Sequence, residues 1–241
     1  PVGVWGGHVC DFVPYHSAAC DHLEEMMFPL QTWGNEFYVG LTRKVQAGST
    51  ETNLIKILAG ADGAQITFNP STVHAPLTLN RGQFVEFLME QDVDFRVSSN
   101  MPIMVGMFTV GQNYWTDSYD EMGDPAFGLV VPTAQYRSEY SFITPVSMSI
   151  NYVNVIAEIP VDTMDYIMLD GQAITAQQFW PIGNTGWGVA KIDVTNTGAN
   201  GTHHIAAPND SIKFGIEVYG FASYTSYLYP GGLDLEYINP I

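Results

Sequence analysis

Asn53-Leu54-Ile55-Lys56-Ile57-Leu58-Ala59 sets Ile55, Ile57 and Ala59 on one side of an extended chain and Lys56 on the other. It then runs into the turn signal Ala61-Asp62-Gly63. Side chains of a strand point alternately to its two faces, so this period of two marks a β-strand with one face on a core. Gln83-Phe84-Val85-Glu86-Phe87-Leu88 repeats the alternation, and Asn80-Arg81-Gly82, Asp170-Gly171, Asn200-Gly201 and Pro230-Gly231-Gly232 punctuate the chain. Many short strands separated by such turns predict an all-β fold of the sandwich or barrel kind.

The opening stretch has an echo. Asn151-x-Val153-x-Val155-Ile156-Ala157 repeats its pattern, and Phe95-Arg96-Val97-Ser98-Ser99 followed by Pro102-Ile103-Met104-Val105-Gly106 is answered by His203-His204-Ile205-Ala206-Ala207 and Ser211-Ile212-Lys213-Phe214-Gly215. The two offsets differ, which requires insertions. The expectation is a duplication: one β-sandwich lobe over 36–145, a second over 146–232, an N-terminal segment 1–35 packed on them, and a tail or linker strand at 233–241. Helical periodicity is nearly absent. The exception is Cys20-Asp21-His22-Leu23-Glu24-Glu25-Met26-Met27, whose early acids before Pro29 predict a short helical turn.

Composition narrows the function classes. Hydrophobic residues are 46% and charged residues 14% of the 241, which provides for a large core and argues against disorder. A net charge of −17 repels phosphate backbones and anionic bilayers, so neither nucleic acid nor membrane is an expected partner. No apolar run has the length of a spanning helix, so no membrane insertion is expected. The chain opens at Pro1 with no basic-plus-apolar leader, and a processed or excised segment is the expectation.

Cys10 and Cys20 are the two cysteines. A disulfide, a metal pair completed by His8 and His22, and two free thiols are the open readings. Zinc thiolates usually lie two to four residues apart, and a lone close pair suits an oxidising compartment, so a disulfide is the leading expectation. Asn200-Gly201-Thr202 and Asn209-Asp210-Ser211 are candidate N-glycosylation sites of a secreted chain.

Residues 111–125 break the alternation and read as a long loop, the kind of segment that carries binding. Tyr114, Trp115 and Tyr119 are its candidate contact residues. Asp117, Asp120, Glu121 and Asp124 have enough oxygens for calcium, although the spacing of an EF-hand is missing and solvated loop acids are the simpler reading. No other cofactor is expected. In Tyr219-Gly220-Phe221-Ala222-Ser223-Tyr224-Thr225-Ser226-Tyr227-Leu228-Tyr229 the parity groups Tyr219, Phe221, Tyr227 and Tyr229, which reads as a core-lining strand or an exposed aromatic stripe. For His203-His204 a turn flank is favoured over a metal pair, since consecutive strand side chains point apart. No Gly-x-Ser-x-Gly elbow, phosphate loop or His-Glu-x-x-His motif occurs. The acid pairs Asp92/Asp94 and Asp234/Glu236 would serve glycoside hydrolysis only if two acids faced each other across a cleft. No catalytic residue is expected.

Val4-Trp5-Gly6-Gly7-His8-Val9-Cys10, then Cys20-Asp21-His22-Leu23-Glu24-Glu25, then Thr32-Trp33-Gly34-Asn35-Glu36-Phe37 resemble the start of the IgG Fc-binding protein N-terminal domain family. Leu79-x-x-Gly82-Gln83, Gly123-Asp124-Pro125-Ala126, Gln135-Tyr136, Leu169-Asp170-Gly171 and Tyr227-x-Tyr229-Pro230-Gly231-Gly232 continue the likeness in order. The resemblance implies a secreted, non-catalytic binding domain and a Cys10–Cys20 bridge. The acidity points to a bacterial or other non-mammalian relative. The expected function is an extracellular adhesion module for a protein or glycan partner of the matrix or cell surface. The alternative is a structural subunit of a fibre or layer that self-assembles through strand edges.

Overall fold

The computed structural model describes residues 2–43, 52–114, 122–159, 166–198 and 200–239. Strands β1 (Trp5–Asp11) and β2 (Asp21–Met26) form a separate hairpin. The first half of the chain then builds β3 (Gly34–Val39), β4 (Asn53–Ala59), β5 (Ala64–Asn69), β6 (Leu77–Leu79), β7 (Phe84–Met89), β8 (Phe95–Thr109) and β9 (Phe127–Val130). The second half builds β10 (Glu139–Ile143), β11 (Ile150–Glu158), β12 (Ile167–Leu169), β13 (Gln172–Ile174), β14 (Trp180–Pro181), β15 (Trp187–Asp193), β16 (Thr202–Ala206), β17 (Gly215–Ala222) and β18 (Thr225–Pro230). The remaining regular structure among the described residues is single 3-10 turns, and the protein is all-β.

The long strand β8 organises the first half. Its beginning pairs with β3 and β5, and its end pairs with β4 and β9. Pro102, which has no N–H for a ladder, sits where one set of partners gives way to the other. The sheet folds over on itself there. Phe68 of β5 and Phe87 of β7 lie far apart along the ladder, yet their rings meet edge-on at 5.8 Å. Between them sit Ile55, Ile57, Ile66, Val97, Ile103 and Val105, all fully buried.

The second half uses the same pairing scheme. The β3–β8, β4–β7, β4–β8, β5–β6, β5–β8 and β8–β9 ladders are matched by β10–β16, β11–β15, β11–β17, β12–β13, β12–β16 and β17–β18. The counterpart of β8 is broken into β16 and β17, so this half consists of two sheets, β10-β16-β12-β13 and β14-β15-β11-β17-β18. The echo of Asn53–Ala59 in Asn151–Ala157 is thus an echo in register: Ile57 pairs with Val105 and Val85, and Val155 pairs with Ile216 and Ala190. Even the leading asparagines correspond, Asn53 bonding the Thr42 hydroxyl and Asn151 the Pro145 carbonyl.

The halves differ in what covers the outer face of the central strands. Every residue of Ile150–Ala157 is buried, because the sheet's inner face packs on Ile167, Leu169 and Ile205 while its outer face packs on the first half. That outer face is partly polar. Asn154 donates to the carbonyls of Gly40 (2.8 Å) and Leu41 (3.3 Å), and the Tyr219 hydroxyl donates to Asn154 while accepting from the Arg43 N–H. Lys191, alongside Asn154 in the ladder, reaches Asp94 at 3.0 Å and Asp92 at 3.2 Å.

Two expectations are corrected. The stretch 20–27 is built around strand β2, not a helical turn: Cys20 is tied to Cys10, and β2 pairs with β1 from Met26 opposite Trp5 to Asp21 opposite Asp11. A helix this short nucleates poorly, whereas the ladder and bridge hold the segment extended. Tyr219–Tyr229 is a hairpin, not one strand. The turn at Ser223–Tyr224 reverses the chain, so Tyr219 faces Leu228 and Gly220 faces Tyr227, which sends the Tyr227 and Tyr229 rings to the opposite face from Tyr219 and Phe221. The stretch 231–239 carries no sheet pairing and lies as an arm. Gln135 clamps it by donating to Glu236 O and accepting from Glu236 N–H, and Gln31 O receives the N–H groups of Ile238 and Asn239.

Glu217 occupies the polar face beside Asn154, fully buried, with no hydrogen-bond partner among the described residues for either carboxyl oxygen. Burial pushes its pKa from 4.5 up to about 8; the Asp94 charge adds to this, while the Asn154 amide and Lys191 pull the other way. Between those two values the native state holds a proton that the unfolded state has lost, so stability falls as pH rises through the window. Glu217→Gln has no such proton. Its stability advantage over the native sequence should grow across the window to a few kcal/mol (about 1.4 kcal/mol per unit). Urea melts of the two proteins check this, and parallel pH slopes would contradict it.

Candidate binding surface

The β1–β2 hairpin is the first component of the site. Gly7 of β1 is required by the close approach of β2, since a Cβ there would lie 2.2 Å from the Leu23 carbonyl oxygen. The bridge Cys10–Cys20, with Cα atoms 5.1 Å apart, closes the loop 11–19 at the hairpin's end. Leu23 and Val13 point inward and pack with Val110 against Leu54, Leu88, Phe108 and Phe127 on the outer face of the first half. Glu25 also faces in, where burial raises its pKa despite the N–H groups of Met26 and Leu129.

The disulfide loop is fixed to the start of the 111–124 region by backbone bonds. Gly111 N–H donates to Val13 O at 2.7 Å and Asn113 N–H to Ala18 O at 2.8 Å. Gly111 has no room for a side chain, because a Cβ would sit 2.9 Å from the carbonyl oxygens of Ser17 and Ala19. Gln112–Tyr114 form one 3-10 turn. From it the Tyr114 hydroxyl donates to Glu90 at 2.6 Å, and burial together with that carboxylate pushes its pKa up to about 12. Gln112 is the hub: its N–H donates to Asp124, and its side-chain oxygen accepts the Tyr224 N–H at 3.0 Å.

Asp124 closes the other end. Its side chain is buried and accepts the Gln112 N–H, its own N–H donates to Ser226, and its carbonyl accepts the Thr109 hydroxyl. Burial raises its pKa, partly offset by the Gln112 N–H. Gly123 N–H donates to Ala222 O across the same junction. The segments 12–20, 111–114, 122–124 and 222–226 therefore form one braced platform. Its exposed aromatic residues are Phe12, Tyr15 (79% exposed) and Tyr224 (55%).

Of the predicted contact and calcium residues, Tyr114 and Asp124 belong to this platform as braces. Trp115, Asp117, Tyr119, Asp120 and Glu121 lie outside the described residues. No group of three or more His, Cys, Asp or Glu that could hold a metal occurs among the described residues. Asn200 and Asn209 are exposed in turns on either side of β16, Asn209 accepting from the Ser211 N–H and hydroxyl. Of the adjacent histidines, His203 is buried between Asp170 and Thr144 while His204 points outward to Glu139. The acids Asp92 and Asp94 share Lys191. Sequence reasoning missed Phe12, Tyr15, Tyr224 and Gln112. Tyr15 lies within the cysteine loop, which was its one available signal; nothing marked Gln112.

The family described as IgGFc binding protein matches residues 1–220, from the hairpin through the first half and into β17 of the second. The chain belongs to that family. A human relative, IgGFc-binding protein, is 25% identical over 182 residues, which is 75% of this chain and 3% of that protein. The chain thus spans a small fraction of the length of the curated relative it matches. No solved structure matches. The match to the family takes in the hairpin, the disulfide loop and the 111–124 region, while the 222–226 segment of the platform lies beyond it.

The bridge closes a loop whose unfolded freedom it removes, which is worth about 2–3 kcal/mol. Replacing both cysteines by serine should lower stability by that amount. It should also raise amide exchange at Gly111 and Asn113, whose acceptors are in the loop. Exchange confined to residues 5–26 would show that the loop does not brace the platform.

Proposed function

We propose that this chain is a non-catalytic extracellular module that holds a protein or glycoprotein partner on the platform formed by segments 12–20, 111–114, 122–124 and 222–226. The observation that supports this most is the concentration of exposed Phe12, Tyr15 and Tyr224 on segments tied together by backbone bonds and a disulfide. Tyrosine offers a large amphipathic contact at little rotamer cost, and a rigid base means that little is ordered on binding. The extracellular placement is supported by the disulfide and by membership of the family. The relative's name points to a protein partner, and the net charge of −17 favours one that brings a basic rim.

Immobilised IgG Fc fragment and a mucin glycoprotein are the probes for surface plasmon resonance. Binding to either should weaken about tenfold or more in a Tyr15→Ala, Tyr224→Ala double variant whose melting temperature is unchanged, since both side chains are exposed. Undiminished binding by the double variant would move the site elsewhere on the molecule.

A further inference from the structure

The shared pairing scheme allows each residue on the outer face of one half to be matched with its counterpart in the other. Lys56 corresponds to Asn154, Leu58 to Ile156, Phe84 to Val189, Gly106 to Glu217 and Phe108 to Tyr219, by identical partners in the ladders. In the second half all of these are buried against the first half. In the first half the hairpin covers the Leu54 and Leu88 end of the face, and beside it remains an open apolar groove of about 190 Å³. Lys56, Leu58, Phe84, Met104 and Gly106 line it, and Phe84 is 55% exposed.

The element that covers the second half's face also has a counterpart. Gly40–Arg43, at the end of β3, meets Asn154, Val189 and Tyr219. Matching Val39 to Phe142, and Thr42 to Pro145 by the asparagine each bonds, gives residues 143–146 as its equivalent at the end of β10. There the fold presents Ile143 at 63% and Val146 at 79% exposure to solvent. One molecule thus carries an uncovered copy of each side of its own internal interface.

We propose that the groove over Lys56, Leu58 and Phe84 receives the Ile143–Val146 corner of a second copy of this chain, so that copies add head to tail. The two patches are different surfaces, so the contact is heterologous and does not close at two copies. The association uses sheet faces rather than strand edges. Because each copy carries −17, added salt screens the repulsion and favours association.

Sedimentation velocity over a range of protein and salt concentration tests this. The native chain should form oligomers larger than dimers as concentration and salt rise. Phe84→Asp and Val146→Asp, both at exposed positions, should each weaken association about tenfold or more on their own. Mixed together they should form one-to-one pairs that grow no further, since one intact groove and one intact corner remain. Lys56→Glu gives a second groove variant should Phe84→Asp lose its native near-ultraviolet circular dichroism. A native chain that stays monomeric under all conditions overturns the proposal. So does a closed dimer, or association that survives both substitutions, which would indicate pairing through strand edges.

Discussion

The structure depends on one buried polar contact, the seating of Asn154 on the carbonyls of Gly40 and Leu41. A strand covered on both faces is ordinarily an unbroken apolar run, because any polar group there has lost water and must be bonded within the protein. β11 departs from that rule at Asn154, and two backbone carbonyls and the Tyr219 hydroxyl satisfy it. Those partners all lie at the junction of the halves. The asparagine is therefore satisfied only when residues 40–43 lie across β11 and β17 in one register, with Asp94 brought onto Lys191. Apolar surfaces alone would permit sliding. A row of donors and acceptors fixes the position, and Glu217, buried beside it with no hydrogen-bond partner for its carboxyl oxygens among the described residues, adds a desolvation cost to the row.

The strands and the repeat were legible because alternation and turn residues are local signals. Ile55, Ile57 and Ala59 announce an inner face wherever their strand is placed, and the echo in Val153, Val155 and Ala157 announces a second one. What the pattern cannot carry is the fate of the opposite face. Lys56 and Asn154 occupy the same position of the same scheme and both read as solvent-side residues, yet one borders an open groove and the other is fully buried. Tertiary packing makes that distinction. The tyrosine run was misread for a related reason: parity holds only until a turn, and Ser223–Tyr224 is a turn without Gly or Pro to mark it. The acids at the start of β2 imitate a helix N-terminus, and only the ladder to β1 decides otherwise.

The candidate surface was legible in part, through the loop that interrupts the alternation and the cysteines that close another loop far away in sequence. Their meeting was not legible. It rests on two backbone bonds from Gly111 and Asn113, and backbone bonds leave no trace in side-chain identity except at Gly111, where only glycine fits beneath the carbonyls of Ser17 and Ala19.

The hairpin links these two themes. Stacked repeats need a terminal element to cover the face that has no neighbour, and the outer face of the first half is such a face, since its counterpart in the second half is buried. An isolated two-stranded hairpin is marginal in water, and this one buries little beyond Leu23 and Val13. The disulfide and the bonds to Gly111 and Asn113 supply what its small core lacks. The same bonds position the loop that carries Phe12 and Tyr15. Covering the Leu54 and Leu88 end of this face and building the aromatic platform are therefore one structural act, and a change that loosens the hairpin must also disturb the surface beside it.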